Sequence, residues 1–288
     1  MKVLVTGAKG QLGSEFQDLA PTSDHRFSFC DIDEMDLSEE ASINRYLKLH
    51  EIDVIINCGA YTNVDGAEEN KSLAHAINAQ APGIIAKHCS RNNVRLIHIS
   101  TDYVFDGQGH TPITEDDKPN PLSVYGSTKL KGERNIVREL ENAYIIRTSW
   151  VYSSYGKNFV KTMLRLGKER GSLNVVYDQI GTPTYAHDLA KVIIHILDHW
   201  KNKDKPGIYH YANHGAISWY DFAKAIFELG EIDCQVNPIR SSEFPTTAVR
   251  PYFSLLSKEK ACKTFNLAIP YWKDSLIKCL ERMELQKL

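Results

Sequence analysis

Short apolar runs alternate with longer amphipathic stretches through the first half of this chain, and that alternation constrains the fold more than any single residue. The runs at 3–6, 27–30, 54–57, 96–100 and 144–147 are apolar or β-branched and too short for buried helices. Between them, 11–19, 38–50, 72–92 and 123–140 carry a helical pattern. Strand and helix taken in turn read as βαβ units, an α/β fold whose parallel sheet is covered on both faces. The gap from Ser100 to Ser123 holds Gly107, Gly109, Pro112, Pro119 and Pro121, so it is a loop. A loop that long inside a compact unit is more often functional than idle.

Gly7-Ala8-Lys9-Gly10-Gln11-Leu12-Gly13 follows the first strand and opens the first helix. Glycines there let the backbone turn tightly and approach a pyrophosphate, whose charge meets free N–H groups at the helix N-terminus. That position makes the sheet Rossmann-type, a doubly wound parallel sheet that binds a dinucleotide, although the spacing GxxGxxG differs from the common GxGxxG. Asp31, after the second strand, stands where an acid meets the ribose 2′-OH of NAD, whereas Lys9 suits a 2′-phosphate. NADH and NADPH therefore both stay open.

Beyond residue 170 the pattern loosens. A strand is expected at 173–177, a helix at 185–200 and a charged turn at 201–207, followed by a strand at 208–211 that can rejoin the first sheet. A helix at 218–229, a loop at 240–251 and helices at 257–265 and 272–284 complete the chain. This divides it into a dinucleotide-binding domain, 1–170 with 206–230 returning to it, and a smaller mixed α/β substrate domain, 171–205 and 231–288.

Ser100-Thr101-Asp102 ends the fourth strand, and Tyr125-Gly126-Ser127-Thr128-Lys129 begins a helix. Tyr125 and Lys129, four apart, share one helical face, so the ammonium can sit beside the phenol. A cation there favours the phenolate and lowers a pKa that is otherwise ~10, as proton transfer to a carbonyl oxygen needs. Thr101, at the carboxyl edge of the sheet, can donate to the same oxygen. Trp150, just past a strand end, is either core or a platform for a sugar face. The dispersed histidines and the buried-type cysteines suggest packing rather than chemistry.

Composition excludes several classes of function. Among 288 residues, Lys+Arg 34 against Asp+Glu 36 gives a net charge of -2, with no basic surplus for nucleic acid. Charged residues at 24% and hydrophobic ones at 42% describe a globular chain, not a disordered one. Six cysteines without a CxxC pair make neither a disulfide framework nor a zinc site. No signal peptide is recognisable, and no apolar stretch reaches the ~20 residues needed to span a bilayer. The expectation is a cytoplasmic protein without a membrane or nucleic-acid partner.

VTGAKGQLG (5–13), INCGAYTNVDGAE (56–68), ISTDYVFDG (99–107), YGSTKLKGE (125–133), RTSWVY (147–152) and DQIGTPTY (178–185) together resemble the dTDP-4-dehydrorhamnose reductase family. That family lies within the extended short-chain dehydrogenase/reductase superfamily, and the resemblance covers nearly the whole chain. It implies Thr101, Tyr125 and Lys129 as the catalytic set. Gly7, Gly10, Gln11, Leu12 and Gly13 would hold the pyrophosphate, and Asp31, Asp36 and Leu37 the adenosine half. Ala60, Tyr61 and Thr62 would flank the cofactor, with Tyr125 and Lys129 touching it too. Val64, Thr101, Asp102, Tyr103 and Trp150 would line the deoxysugar.

The implied reaction is reduction of a dTDP-4-keto-6-deoxysugar to dTDP-L-rhamnose by NADPH or NADH. Some relatives hold magnesium between glutamates at a dimer contact. Glu15 matches, but His187 stands where a second acid is expected, and magnesium prefers oxygen. No metal is expected, and the protein would be a monomer or a homodimer without that contact. An epimerase or dehydratase of the same superfamily is the enzymatic alternative, but dehydratases usually carry an acidic pair where Asp102-Tyr103 supplies one acid. A non-catalytic cofactor-binding regulatory subunit is the other alternative, and the intact Thr101, Tyr125 and Lys129 argue against it.

Overall fold

The computed structural model describes residues 1–200 and 205–286; residues 201–204 of the expected charged turn lie outside that description. Strands β1 (Lys2–Thr6), β2 (Arg26–Cys30), β3 (Val54–Asn57), β4 (Arg95–Thr101) and β5 (Tyr144–Thr148) stand where alternation predicts them. Every residue of β3 and β5 is buried, as strands sandwiched between helical layers require. Two further parallel strands, β6 (Ser172–Val176) and β8 (Gln235–Ile239), pair only with each other, while β7 (Gly207–His210) joins β5. The main sheet is wholly parallel, in the order β7-β5-β4-β3-β1-β2. The chain therefore reverses its winding between β1 and β3. A crevice opens there at the carboxyl ends of the strands, where ligands of such sheets bind.

Helices cover both faces. α1 (Gln11–Leu19) packs with α6 (Ala186–His199) over one face, where Phe16, Leu189 and Ile193 are fully buried among Val3, Val5 and Ile56. α2 (Glu40–Leu49), α3 (Ala81–Asn92) and α4 (Val124–Glu139) cover the other, enclosing Leu4, Ile55, Leu96 and Ile145. A separate core gathers α5 (Phe159–Glu169), α7 (Trp219–Leu229), α9 (Trp272–Leu285), β6 and β8 around Tyr152 and Phe222. The short helix α8 (Glu259–Phe265) returns its Ala261 and Phe265 to the sheet.

These cores redraw the expected boundary at 170. α6 belongs to the sheet because it is the crossover joining parallel β5 and β7, and a right-handed crossover must lie back on the sheet. α5 and α7, placed by the sequence with the dinucleotide domain, instead bury their apolar stripes against each other in the second core.

The expected helix at 72–92 is broken into Lys71–His75, a π-helical turn at Ala76–Gln80, and α3. Pro82 explains the break: it has no N–H for the carbonyl of Asn78, and its ring crowds that carbonyl. The loosened turn presents the Asn78 side chain to the loop after β3. There Oδ1 accepts from the Tyr61 N–H at 2.9 Å and Nδ2 donates to the Tyr61 carbonyl at 3.0 Å. Insertions of this kind recur at functional sites.

The position of α4 is set by charge. Arg147 of β5 is buried and donates twice to Glu133 of α4, Nε to Oε1 at 2.9 Å and Nη2 to Oε2 at 2.7 Å. Ser100 of β4 donates to the same carboxylate at 2.5 Å. Glu133→Ala should leave this guanidinium buried and unpaired, a loss of about 3–5 kcal/mol. Denaturant unfolding of the variant checks that, and wild-type stability would contradict it.

Candidate active site

Gly7 takes a left-handed backbone (φ 66°), and an added Cβ would lie 2.8 Å from the backbone of Gly59 in the loop after β3. A Cβ on Gly13 would sit 2.3 Å from the Gly7 carbonyl, so only glycine lets α1 start this close to β1. Gly10 caps α1 without a side chain, which leaves the first N–H groups of the helix available to an anion. Leu12 turns into the core. The Gln11 side chain is committed, accepting from Asn158 Nδ2 at 2.9 Å.

The acidic loop after β2 is internally braced. Asp31 accepts the backbone N–H of Lys9 at 2.7 Å and of Ile32 at 2.9 Å, while the Lys9 ammonium pairs with Asp33. Asp36 caps its own turn through Ser38, at 2.7 Å from both the N–H and the hydroxyl. Leu37 leans over Gly59, where a Cβ would meet its Cδ1 at 2.4 Å. Ala60, Tyr61 and Thr62 follow in the loop that Asn78 holds, and Val64 opens a short helix capped by Asn63.

Across the crevice, Thr101 ends β4, buried, with its hydroxyl donating to Asp102 at 3.1 Å and accepting the N–H of Tyr103 at 3.2 Å. Tyr125 stands on the first turn of α4, which Ser123 caps through the Gly126 N–H at 3.1 Å. Its phenol hydrogen-bonds Thr101, yet burial holds its pKa above the ordinary value. Tyr103 meets Tyr125 edge to face, rings 5.5 Å apart, and its hydroxyl accepts from Arg250 at 3.2 Å. Burial brings the Lys129 ammonium down to about 8, against the opposing pull of Glu133. It donates to the Ile99 carbonyl at 2.6 Å and lies 3.3 Å from His98 Nε2.

This corrects one expectation. The lysine head faces a carbonyl and a histidine rather than the phenol, and the phenol's pKa is raised, not lowered. Buried carbonyls are strong acceptors, and Ile99 lies directly across from the helix face that carries Lys129.

The sequence matches the family model described as RmlD substrate binding domain over residues 1–285. A dTDP-4-dehydrorhamnose reductase of Mycolicibacterium smegmatis is 38% identical over 96% of this chain and 84% of its own length. The chain belongs to the dTDP-4-dehydrorhamnose reductase family. A crystal structure of such a reductase from Clostridium acetobutylicum, 40% identical, superposes with a TM-score of 0.94 over 99% of this chain and all of that one. Another, from Bacillus anthracis and in complex with NADP, is 36% identical with a TM-score of 0.91 over 98% of this chain and 99% of that one.

Two further residues expected to line a substrate, Asp102 and Trp150, have unusual surroundings. Asp102 is buried beside Thr101, which donates to its Oδ1, and close to the Ser254 hydroxyl; burial still lifts its pKa to about 6. Trp150 is half-buried and holds a left-handed backbone (φ 47°), unusual for a bulky residue. Its indole stacks on Trp219 of α7, centroids 3.7 Å apart and planes 12° from parallel. Trp219, Asn78 and His98 are site neighbours that the motifs did not single out. Of these, only Asn78 has a signal in the sequence, Pro82 four residues on, which loosens the turn that carries it.

Glu15 is fully engaged, accepting from Ser153 at 2.5 Å and Arg282 at 2.7 Å, with His187 Nδ1 at 3.0 Å. Arg282 also binds Asp18. Among the described residues, no group of three or more His, Cys, Asp or Glu is arranged to hold a metal ion.

Tyr125→Phe should keep cofactor affinity and lose about 10²–10⁴ in turnover, the worth of one positioned proton donor. Steady-state kinetics with a cofactor-binding titration checks it, and near-normal turnover would remove Tyr125 as the acid. For Trp150→Ala, kcat/KM should fall by about 1–3 kcal/mol, an apolar contact plus one hydrogen bond, while the fold persists. Melting curves measured beside the kinetics decide: a large drop in Tm with unchanged kcat/KM would make Trp150 core instead.

Proposed function

We propose that this protein reduces the 4-keto group of dTDP-4-dehydro-L-rhamnose to dTDP-L-rhamnose, with NADPH or NADH as reductant. One observation carries the reading: the Thr101 hydroxyl and the Tyr125 phenol are hydrogen-bonded at the carboxyl edge of the sheet, with Lys129 one turn further along α4, opposite the uncapped glycine start of α1. The crevice fits a dinucleotide, since glycine at 7 and 13, where a Cβ would strike the backbone of Gly59, Gly7 and Ala8, lets α1 start close behind β1, and the helix start leaves N–H groups for a pyrophosphate. Bound there, the nicotinamide supplies the hydride.

The chain's own residues supply the rest. Gln11 and Leu12 offer backbone N–H groups to the pyrophosphate, Gly10 closes the turn by donating its own N–H to the Gly7 carbonyl, and Asp31, Asp36 and Leu37 form the adenosine wall. Ala60, Tyr61 and Thr62 flank the ribose and ring. Thr101 and Tyr125 both address the keto oxygen, Thr101 by donating a hydrogen bond and Tyr125 by giving up its proton. A phenol whose pKa burial raises retains that proton until an alkoxide stronger in base develops. Lys129 holds positive charge within the site, and ground-state ordering falls to Asp102, whose carboxyl accepts a sugar hydroxyl. Tyr103, Val64 and Trp150 close the deoxysugar pocket.

In this reading the second core around α5, α7 and α9 is the substrate-binding unit, and the enzyme works in the cytoplasm without a nucleic-acid partner, as a monomer or homodimer. No helix of the described residues is long and apolar enough to cross a membrane.

The test is oxidation of NADPH and of NADH by the purified protein with the dTDP-4-keto sugar, with and without EDTA. Turnover to dTDP-L-rhamnose with at least one cofactor, unchanged by EDTA, is expected. No turnover with either would overturn the activity, and activity lost to EDTA and restored by magnesium would overturn the metal-free site.

A further inference from the structure

Behind Lys129 lies a buried chain of polar groups that the catalytic set does not include. The Gly59 N–H donates to Thr6 Oγ1 at 3.2 Å, and Thr6 donates to Asn57 Oδ1 at 2.7 Å. Asn57 Nδ2 lies 3.1 Å from His98 Nδ1, and His98 Nε2 lies 3.3 Å from Lys129 Nζ. Asn57 and His98 are buried, neighbours on β3 and β4. A polar chain this deep in a parallel sheet costs stability unless every member is satisfied.

We propose that His98 is the positioning residue for Lys129: its ring braces the lysine head against the Ile99 carbonyl, and Asn57 selects which ring nitrogen carries the proton. Lys129 has three N–H groups. When Nε2 is the accepting nitrogen, the Ile99 carbonyl takes one and His98 another, so the third is left to point into the crevice.

The ring itself stays neutral, because burial and the neighbouring ammonium both oppose a second charge. A neutral imidazole has one proton and two ways to wear it. With the amide as placed, Nδ1 accepts from Asn57 and the proton on Nε2 faces Lys129, which suits a lysine amine. With the amide turned over, Nδ1 donates to Asn57 and Nε2 accepts from Lys129, which suits the ammonium. The two settings differ by the lysine proton, so the state of Lys129 and the orientation of Asn57 are one event. The other groups facing Lys129 are Cys58 after β3, held protonated by burial, and Glu133 on its own helix.

The inference rests on the reductase reading for its kinetic part only. His98→Phe keeps the ring volume and removes both nitrogens; His98→Gln restores one oxygen that can accept from the ammonium. An acceptor stabilises the charged lysine, so removing it lowers the pKa. The alkaline limb of kcat in the Phe variant should therefore move down by about one to two pH units, the worth of one hydrogen bond to a charged group. The Gln variant should return the limb towards its original place.

The second readout needs neither substrate nor turnover. Ring ¹⁵N shifts of His98, assigned by their loss in the Gln variant, should show a neutral ring that exchanges one tautomer for the other as Lys129 titrates. A folded Phe variant with an unmoved limb would overturn the proposal, as would a Gln variant no better than Phe. If neither variant folds, the ring shifts of the wild-type protein decide: a ring that titrates like an exposed histidine, or keeps one tautomer throughout, overturns it. Failure of the wild-type turnover assay would count against the activity alone and leave the ring measurement standing.

Discussion

A guanidinium in the interior has to be met by an opposite charge, and the placing of this active site follows from how Arg147 is met. Glu133 answers it with two hydrogen bonds, and Ser100 adds a third to the same carboxylate. Because Glu133 lies one turn beyond Lys129 and two beyond Tyr125, the pair locks the whole reactive face of α4 against β4 and β5. On the same face His98 and Ser100 of β4 meet Lys129 and Glu133 of α4, the two long side chains reaching past each other because the helix runs back against the strand.

That lock puts ionisable groups where water is scarce, and burial then decides their state more than their neighbours do. It leads the causes for Tyr125, Lys129 and Asp102 alike, holding each towards its neutral form. A site biased in this way keeps a proton on the phenol to give and little charge to reorganise. The i, i+4 pairing of Tyr125 with Lys129 is real as helix geometry. What it could not show is that a backbone carbonyl and a histidine would claim the ammonium first.

Elements whose partners are near in sequence or whose pattern is strong were legible in advance. The five leading strands, α1 and α4 fall almost where their apolar periodicity puts them, and the glycine turn sits at the crevice. What stayed hidden depends on distant pairing. β8, at Gln235–Ile239, has Pro238 in its midst and reads as loop until β6 is beside it. α6 and α7 carry similar apolar stripes, and nothing local says that one meets the sheet and the other the second core. His98 reads as one more apolar-strand residue, since its role appears only when α4 is laid across β4.

The account comes down to whether hydride is delivered to C4 of the sugar in this crevice. Reduced cofactor carrying deuterium at both nicotinamide C4 positions, incubated with the 4-keto sugar and the protein, tests this directly by NMR of the product. Deuterium at C4 of dTDP-L-rhamnose, with the carbon-bound hydrogens beside it undisturbed, is the result predicted. Deuterium at another carbon, or a reduced sugar carrying none, would contradict it.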